Sequence, residues 1–401
     1  MTDTTTRRYD IDALRVIAFG LLILYHCGMF YVADWGWHIK SAYTSEWLQE
    51  PMRFMNQWRM SLLFVISGLA VAFVRHRYSG WRLAGRRLWR LGVPLIFGMA
   101  VVVSPQPYYE ALGKGIIEPG FFNFWWDYFR GQDFPGEAWS GENVVVWTWN
   151  HLWYLPYVLF YTLLTIPLGN LLRRLKVDQL LQNLRGLWLV VVPVIPLMLY
   201  GNFVFPFNPG IEHGFFGATY AHVLFGTLFF YGYLVGRAPG WWQALATQRR
   251  LYLAIGLIAY ASLRSQEWWV AEEPSFVIEQ LSFLSVYVNR WCWILVLLAY
   301  GYQYLNRPSP RVHYMTQAIF PWYILHQTLT IVVGAQLASF ALGPVIEPIL
   351  VLGGTVAGCV VLYEFIIKRI AWLRPLFGMP IRTAPPMAVE HDTESARVSP
   401  A

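Results

Sequence analysis

Ten stretches of this chain are apolar enough to be candidate membrane spans, and that repetition decides what it can fold into. A spanning helix needs about 20 mainly apolar residues. The candidates are Ile11–Val32, Met60–Val74, Leu88–Ser104, Asn150–Leu168, Leu187–Phe205, Phe215–Gly236, Leu251–Leu263, Trp291–Leu305, Thr316–Gln336 and Pro344–Ile367. The seventh and eighth are short, and the second is expected to start nearer Asn56. The expected fold class is therefore all-α: a polytopic membrane protein of about ten helices. Composition agrees, with 56% of residues apolar and only 13% charged, where a soluble domain carries about 25% charged residues. A soluble enzyme, a disordered regulator and a coiled coil are excluded at this step.

Charge placement predicts the orientation. With the N-terminus inside and the spans alternating, the cytoplasmic segments hold 22 of the 30 Lys/Arg and the outer segments hold seven, among them Lys40, Arg53, Arg59 and Arg290. This bias predicts N-in and C-in. It also accounts for the net charge of +7 without nucleic acid. Arg7-Arg8 is followed at once by Asp10 and Asp12 and reads as a cytoplasmic anchor, with no cleavable signal. The transmembrane domain is expected over 1–375. Residues 376–401, rich in Pro, Ala and charge, are expected to be a disordered cytoplasmic tail. The loop Pro105–Trp149 carries Phe121-Phe122, Trp125-Trp126 and Trp147, a pattern that suits an aromatic belt at the membrane surface. Cys27, Cys292 and Cys359 all fall in apolar runs, which argues against a disulfide framework or a thiolate metal site.

Ionisable groups inside spans are costly, so each is a candidate for function. The first span holds Arg15 and His26, eleven positions apart. Eleven steps make roughly three turns and about 16 Å, so the two share one face. That face has a fixed cation at the inner mouth and a titratable imidazole in the outer third. The layout suits a long anionic ligand with a reactive far end, such as coenzyme A carrying a thioester. His26 would serve as general base or carry the acyl group covalently. The plain alternative is a helix–helix hydrogen bond from His26 and a snorkelling Arg15. Arg86, Arg87 and Arg90 cluster at the start of the third span, and arginine forks suit phosphate oxygens. His151, His222 and His326 sit at or in the fourth, sixth and ninth spans, where together they suggest a polar cavity. No metal-ligand spacing, phosphate loop, dinucleotide fingerprint or nucleophile elbow is present.

These residues resemble the acyltransferase-3 family of membrane acyltransferases. The resemblance is carried by Arg15 through His26 in the first span, preceded by Asp12, and by Arg87-Leu-Trp-Arg90 entering the third. Ser67-Gly68, His151-Leu-Trp-Tyr-Leu and Tyr323-Ile-Leu-His326 extend it over about 9–375. Within the family, Tyr25-His-Cys-Gly-Met-Phe30, Trp35-Gly-Trp-His-Ile-Lys40 and Pro94-Leu-Ile-Phe-Gly98 look most like the subgroup that succinylates periplasmic glucans. The resemblance implies transfer of an acyl group, succinyl or acetyl, from cytoplasmic acyl-CoA to a saccharide hydroxyl outside the inner membrane of a bacterium. His26 would be catalytic. Arg15, Arg86, Arg87 and Arg90 would bind the donor, and Asp12, His151, His222, Tyr323 and His326 would lie on the supporting or acceptor side. It implies no bound cofactor and no metal. The competing reading is a transporter or flippase of a lipid-linked saccharide, against which stands the lack of an inverted repeat.

Overall fold

The computed structural model describes residues 7–75, 78, 80–132, 134–137, 143–144, 147–204, 214–269 and 274–381. The chain runs through fifteen α-helices among these residues: α1 Tyr9–Met29, α2 Gln49–Arg75, α3 Gly80–Arg87, α4 Val93–Phe97, α5 Pro105–Gly113, α6 Phe121–Phe129, α7 Tyr154–Arg174, α8 Val177–Asn183, α9 Trp188–Phe203, α10 Thr219–Val235, α11 Pro239–Thr247, α12 Arg249–Trp269, α13 Phe276–Tyr304, α14 Pro310–Ala338 and α15 Gly343–Val361. The β structure is minor: β1 Phe134–Glu137 pairs antiparallel with β2 Asn143–Val144. Each of the ten expected spans overlaps a helix, with the ends at Val32 and Phe215 overshooting it and Phe205 outside the described residues. Among the described residues, seven helical runs are long and apolar enough to cross a membrane: 9–29, 46–75, 80–113, 150–172, 276–304, 310–338 and 343–367. Helices α9 and α10 are apolar but shorter, at 16 and 17 residues, and α12 has the length, 21 residues, but a more polar sequence.

Two helices start earlier than expected. The second span is expected from near Asn56 and the eighth from Trp291, and α2 starts at Gln49 and α13 at Phe276, so Arg59 and Arg290, counted with the outer segments, lie within helices. A cation can lie inside a helix when packed groups replace its hydration. In the expected tail, Phe377 and Met379 are buried, and the Phe377 ring packs 5.5 Å from that of Phe97. The rest of the expected tail, 382–401, lies outside the described residues.

Helix α1 packs against α2, α13, α14 and α15 on one side and exposes Ile17 and Leu24 on the other. The periphery is apolar, with Ile17, Leu24, Ile195, Leu257, Ile258, Ile346 and Ile349 all exposed. In water such a surface would aggregate; against lipid tails it is the natural exterior. The tightest crossing is α2 on α10. A Cβ on Gly68 would come within 1.9 Å of the Phe229 carbonyl oxygen, and one on Gly232 within 2.0 Å of that of Val65. Small residues let two backbones meet this closely, the usual device where lipid removes the hydrophobic drive between helices.

The run 80–113 is continuous but irregular. Its backbone widens to π-helix over Leu88–Gly92 and Gly98–Val102. The second π segment ends at Val102, just before Pro105, so the carbonyls of its last turn run out of helical N–H partners. Side chains take them: Ser104 Oγ bonds Val101 O (3.0 Å), Trp125 Nε1 bonds Ala100 O (2.8 Å), Tyr128 Oη bonds Met99 O (2.9 Å) and Thr328 Oγ1 bonds Val102 O (2.6 Å). The expected long outer loop is thus partly helical, and the inner face of its aromatic helix α6 fastens to the π segment. Phe122, Trp126 and Phe129 remain exposed on the other face.

The α2–α10 crossing predicts a sharp contrast between glycines. Gly68→Ala should lower stability by about 3 kcal/mol, read as a drop in the thermal midpoint in detergent. Gly353→Ala, where an added Cβ meets nothing within 4 Å, should leave it unchanged or raise it slightly.

Candidate active site

Two imidazoles meet at the heart of the bundle. His26 Nδ1 of α1 lies 2.8 Å from His326 Nε2 of α14, and the rings are parallel, 5.0 Å apart between centroids and 5° off coplanar directions. His326 is fully buried. Its Nδ1 sits 2.7 Å from Tyr323 O and 3.2 Å from Trp322 O. A carbonyl oxygen only accepts, so Nδ1 carries the proton and, in the neutral ring, Nε2 is the acceptor. His26 must then donate from Nδ1, which makes Nε2 its basic nitrogen. This is the base-and-orienter arrangement in which a second group sets the tautomer of a catalytic imidazole.

His151 stands edge-on to both rings, 5.1 Å from His326 and 6.4 Å from His26. It lies in a 3₁₀ turn, Asn150–Trp153, that leads into α7. Its Nε2 donates to Ile324 O (3.1 Å) and its Nδ1 accepts from Gln106 Nε2 (3.2 Å). Tyr323 Oη donates to His151 O (2.6 Å). One turn of α14 therefore holds both His151 and His326. The N–H groups of both rings are spent on carbonyls, and among the described residues no group of His, Cys, Asp and Glu is arranged to hold a metal ion.

The other pole of α1 is cationic. Arg15, Arg87 and Arg90 lie within electrostatic reach of one another. Asp12, 3.8 Å from Arg15, is drawn 2.8 Å from Arg7. Arg87 and Arg90 form no ion pair among the described residues. Arg90 sits in the π segment before Pro94, on a backbone turned by that irregularity. Arg86, also within electrostatic reach of Arg90, lays its guanidinium over the Tyr78 ring, 4.4 Å from its centroid. Between the arginines and the imidazoles lie the rings of Phe19, Tyr154 and Tyr323, in mutual contact at 5.2 to 6.3 Å. Tyr154 Oη is bonded to Ser67 and donates to Leu63 O (3.1 Å). Ser67, next to the packing glycine Gly68, thus sits on this path.

The structure therefore brings His26, His151, Tyr323 and His326 together, and Arg15, Arg87 and Arg90 together. It does not bring in His222. That imidazole stacks on Tyr157 at 4.6 Å, with Nε2 donating to Phe215 O (2.7 Å) and Nδ1 3.3 Å from Tyr161 Oη. Its fully used polar atoms make it a packing group of α7 and α10. Several residues at the site escaped the sequence reading. Arg59, 3% exposed, lays its guanidinium 3.7 Å over the ring of Tyr25, the neighbour of His26. Gln106, Gln327, Glu110 and His38 are buried beside His151. An uncharged Gln in an apolar run or an acid in an outer loop carries no periodic signal. Only the fold shows that they meet.

The segment between α1 and α2 caps this site. Lys40 Nζ, half-buried, bonds Met29 O (2.8 Å) and Val32 O, and Ser41 Oγ donates to the buried Glu347 (2.7 Å). Burial, partly opposed by Asp34, lowers the Lys40 ammonium to about 8.

A family model described as an acyltransferase domain matches residues 8–364. Glucans biosynthesis protein C of Escherichia coli strain K12 is 26% identical over 397 residues, covering 94% of this chain and 95% of that protein. The protein of the same name from Escherichia coli O139:H28 has the same identity and coverage. No solved structure matches the chain significantly.

A depressed lysine becomes a nucleophile sooner. Since the folded protein gives up this proton near pH 8 rather than 10.5, an amine-acylating reagent should label Lys40 with a midpoint near pH 8 in the folded state. Unfolding should return the midpoint to that of an ordinary lysine. Peptide mass spectrometry across a pH series reads both.

Proposed function

Because the chain belongs to the acyltransferase-3 family and is a multi-pass membrane acyltransferase, we propose that it moves an acyl group from a cytoplasmic coenzyme A thioester to a hydroxyl of a periplasmic or cell-surface saccharide. The saccharide follows from the name of the relatives, glucan biosynthesis proteins. The acyl group is succinyl or acetyl, and the membrane is a bacterial inner membrane with both termini on the cytoplasmic side.

The observation that carries the reading is the His26–His326 pair. In the proposed reaction His26 Nε2 takes the proton of the acceptor hydroxyl as its oxygen attacks the thioester carbon. The C–S bond breaks, and the same proton passes to the leaving sulfur, giving an ester and free coenzyme A. His326 holds His26 in the required tautomer throughout, and its own N–H is anchored on α14. Arg15, Arg87 and Arg90 would take the donor's phosphates at the opposite pole. The pantetheine arm, a thin and mostly neutral chain, would lie past Phe19, Tyr154 and Tyr323. Charged phosphates are costly in hydrocarbon, so they stay at the mouth while the thioester reaches the base.

Three measurements test this. His26→Ala should insert and fold, yet lose acyl transfer by on the order of 10²- to 10⁴-fold; near-normal turnover would move the chemistry elsewhere. Arg87→Ala and Arg90→Ala should each weaken binding of a non-hydrolysable acyl-CoA analogue about tenfold by calorimetry, with Lys restoring only part because a bidentate fork is lost. In inverted vesicles, acyl-CoA supplied outside should label saccharide in the lumen, and right-side-out vesicles should give no labelling. Equal labelling from both sides would defeat the through-membrane scheme.

A further inference from the structure

A line of buried polar side chains runs from the cap to the imidazoles. Glu110, His38, Gln327, Gln106 and His151 are each hydrogen-bonded to the next, and all five are buried. A polar network in such an interior costs more than apolar packing unless every member is satisfied, so its persistence calls for a purpose. The proton positions show one. The Glu110 carboxylate only accepts, so His38 presents Nδ1–H to its Oε2 (2.6 Å), and His38 Nε2 is left to accept from Gln327 Nε2 (3.4 Å). Gln327 Nε2 also donates to Gln106 Oε1 (2.9 Å). The Gln106 amide nitrogen then donates to Thr328 Oγ1 (2.7 Å) and to His151 Nδ1 (3.2 Å). Thr328 gives its own proton to Val102 O (2.6 Å), an independent requirement that Gln106 be the donor there. His151 is thus held with its proton on Nε2, pointed at Ile324 O. The carbonyls of Trp322, Tyr323 and Ile324 are successive, and the first two receive the proton of His326.

We propose that Glu110 and His38 are positioning residues for the transfer reaction: the carboxylate fixes the tautomer of His38, His38 and Gln106 hold the Gln327 amide between them, and the line clamps the cap to the turn of α14 from which His326 orients His26. Lys114 Nζ lies 2.9 Å from the other carboxylate oxygen, at the rim. His38 comes from the segment between α1 and α2, Glu110 and Gln106 from α5, Gln327 from α14 and His151 from the turn before α7, so the line joins four elements, and an error at the cap is passed to the base. This rests on the reading of function above.

The test combines nitrogen NMR of histidine-labelled protein with kinetics. In the wild type, His151 should carry its proton on Nε2 and His38 on Nδ1. Glu110→Leu should turn His38 into a tautomer mixture, leave His151 protonated on Nε2, where Ile324 O still accepts, and lower kcat about 10- to 100-fold, with KM for the acyl-CoA unchanged. Glu110→Gln, which keeps an acceptor for His38, should restore most of the turnover lost in Glu110→Leu. An unaltered His38 tautomer in Glu110→Leu would overturn the proposal, as would an altered tautomer with an unaltered kcat. Absence of any acyl transfer by the wild type would defeat the proposed function instead, and the tautomer readout would still stand.

Discussion

The hydrogen bond from His26 to His326 ties helix α1 to α14, and its direction is imposed by the helix backbone. Two carbonyls of α14 claim the proton on His326 Nδ1, so the ring can only accept at the other nitrogen. That one restriction passes to His26 and makes its Nε2 the base. No carboxylate is needed to set this tautomer. In a bilayer that is an advantage, because a buried carboxylate beside the imidazole would carry a desolvation cost that a peptide carbonyl does not. The family of hydrolases with a Ser-His-Asp arrangement solves the same orientation problem with a buried acid. Here the helix itself takes that part.

The rule that backbone groups in hydrocarbon must find partners also explains why the site lies beside an irregular helix. The π segment of 98–102 ends just before Pro105, and the carbonyls of its last turn run out of helical N–H partners. Trp125, Tyr128, Thr328 and Ser104 occupy them. Thr328 in turn orients Gln106, so a repair to the backbone becomes a fixed donor next to His151. Arg90 gains its place on the same widened helix. Irregularity, its repair and the polar site are one construction.

How much of this could be read from the sequence depends on whether the signal was local. The helices were legible because apolar runs repeat at spanning length, and the two poles of α1 were legible because Arg15 and His26 lie three turns apart on one helix. Arg87 and Arg90 stood out as cations deeper than a loop requires. The partnership of His26 with His326 was not legible, since 300 positions separate them and only the packing of α1 on α14 joins them. His222, in the outer half of the sixth span, and His326, near the middle of the ninth, carried the same weight as candidates, yet His222 packs against Tyr157, Tyr161 and Phe215. Arg59 was counted with the outer segment. The ring of Tyr25 beneath it, a contact between two helices, is one reason it can be buried.

Charge is sorted along α1 in a way that separates holding a substrate from transforming it. Beside His26 the hydrogen-bond partners are imidazoles, amides, hydroxyls and peptide carbonyls, with Arg59 over the Tyr25 ring a nearby cation, and Glu110 is paired at the cap with His38 and Lys114. At the opposite pole Arg87 and Arg90 form no ion pair among the described residues, and Arg15 lies 3.8 Å from Asp12. In the proposed reaction a ligand with several negative charges would be held where Arg15, Arg87 and Arg90 gather, with its neutral reactive end toward His26. Positive charge would develop on His26 only while the proton is in transit, in a setting whose dipoles are already aligned by the carbonyls of α14. Such preorganised alignment costs nothing at the moment of reaction, and it is the same alignment that the bundle needs in order to bury the histidines at all.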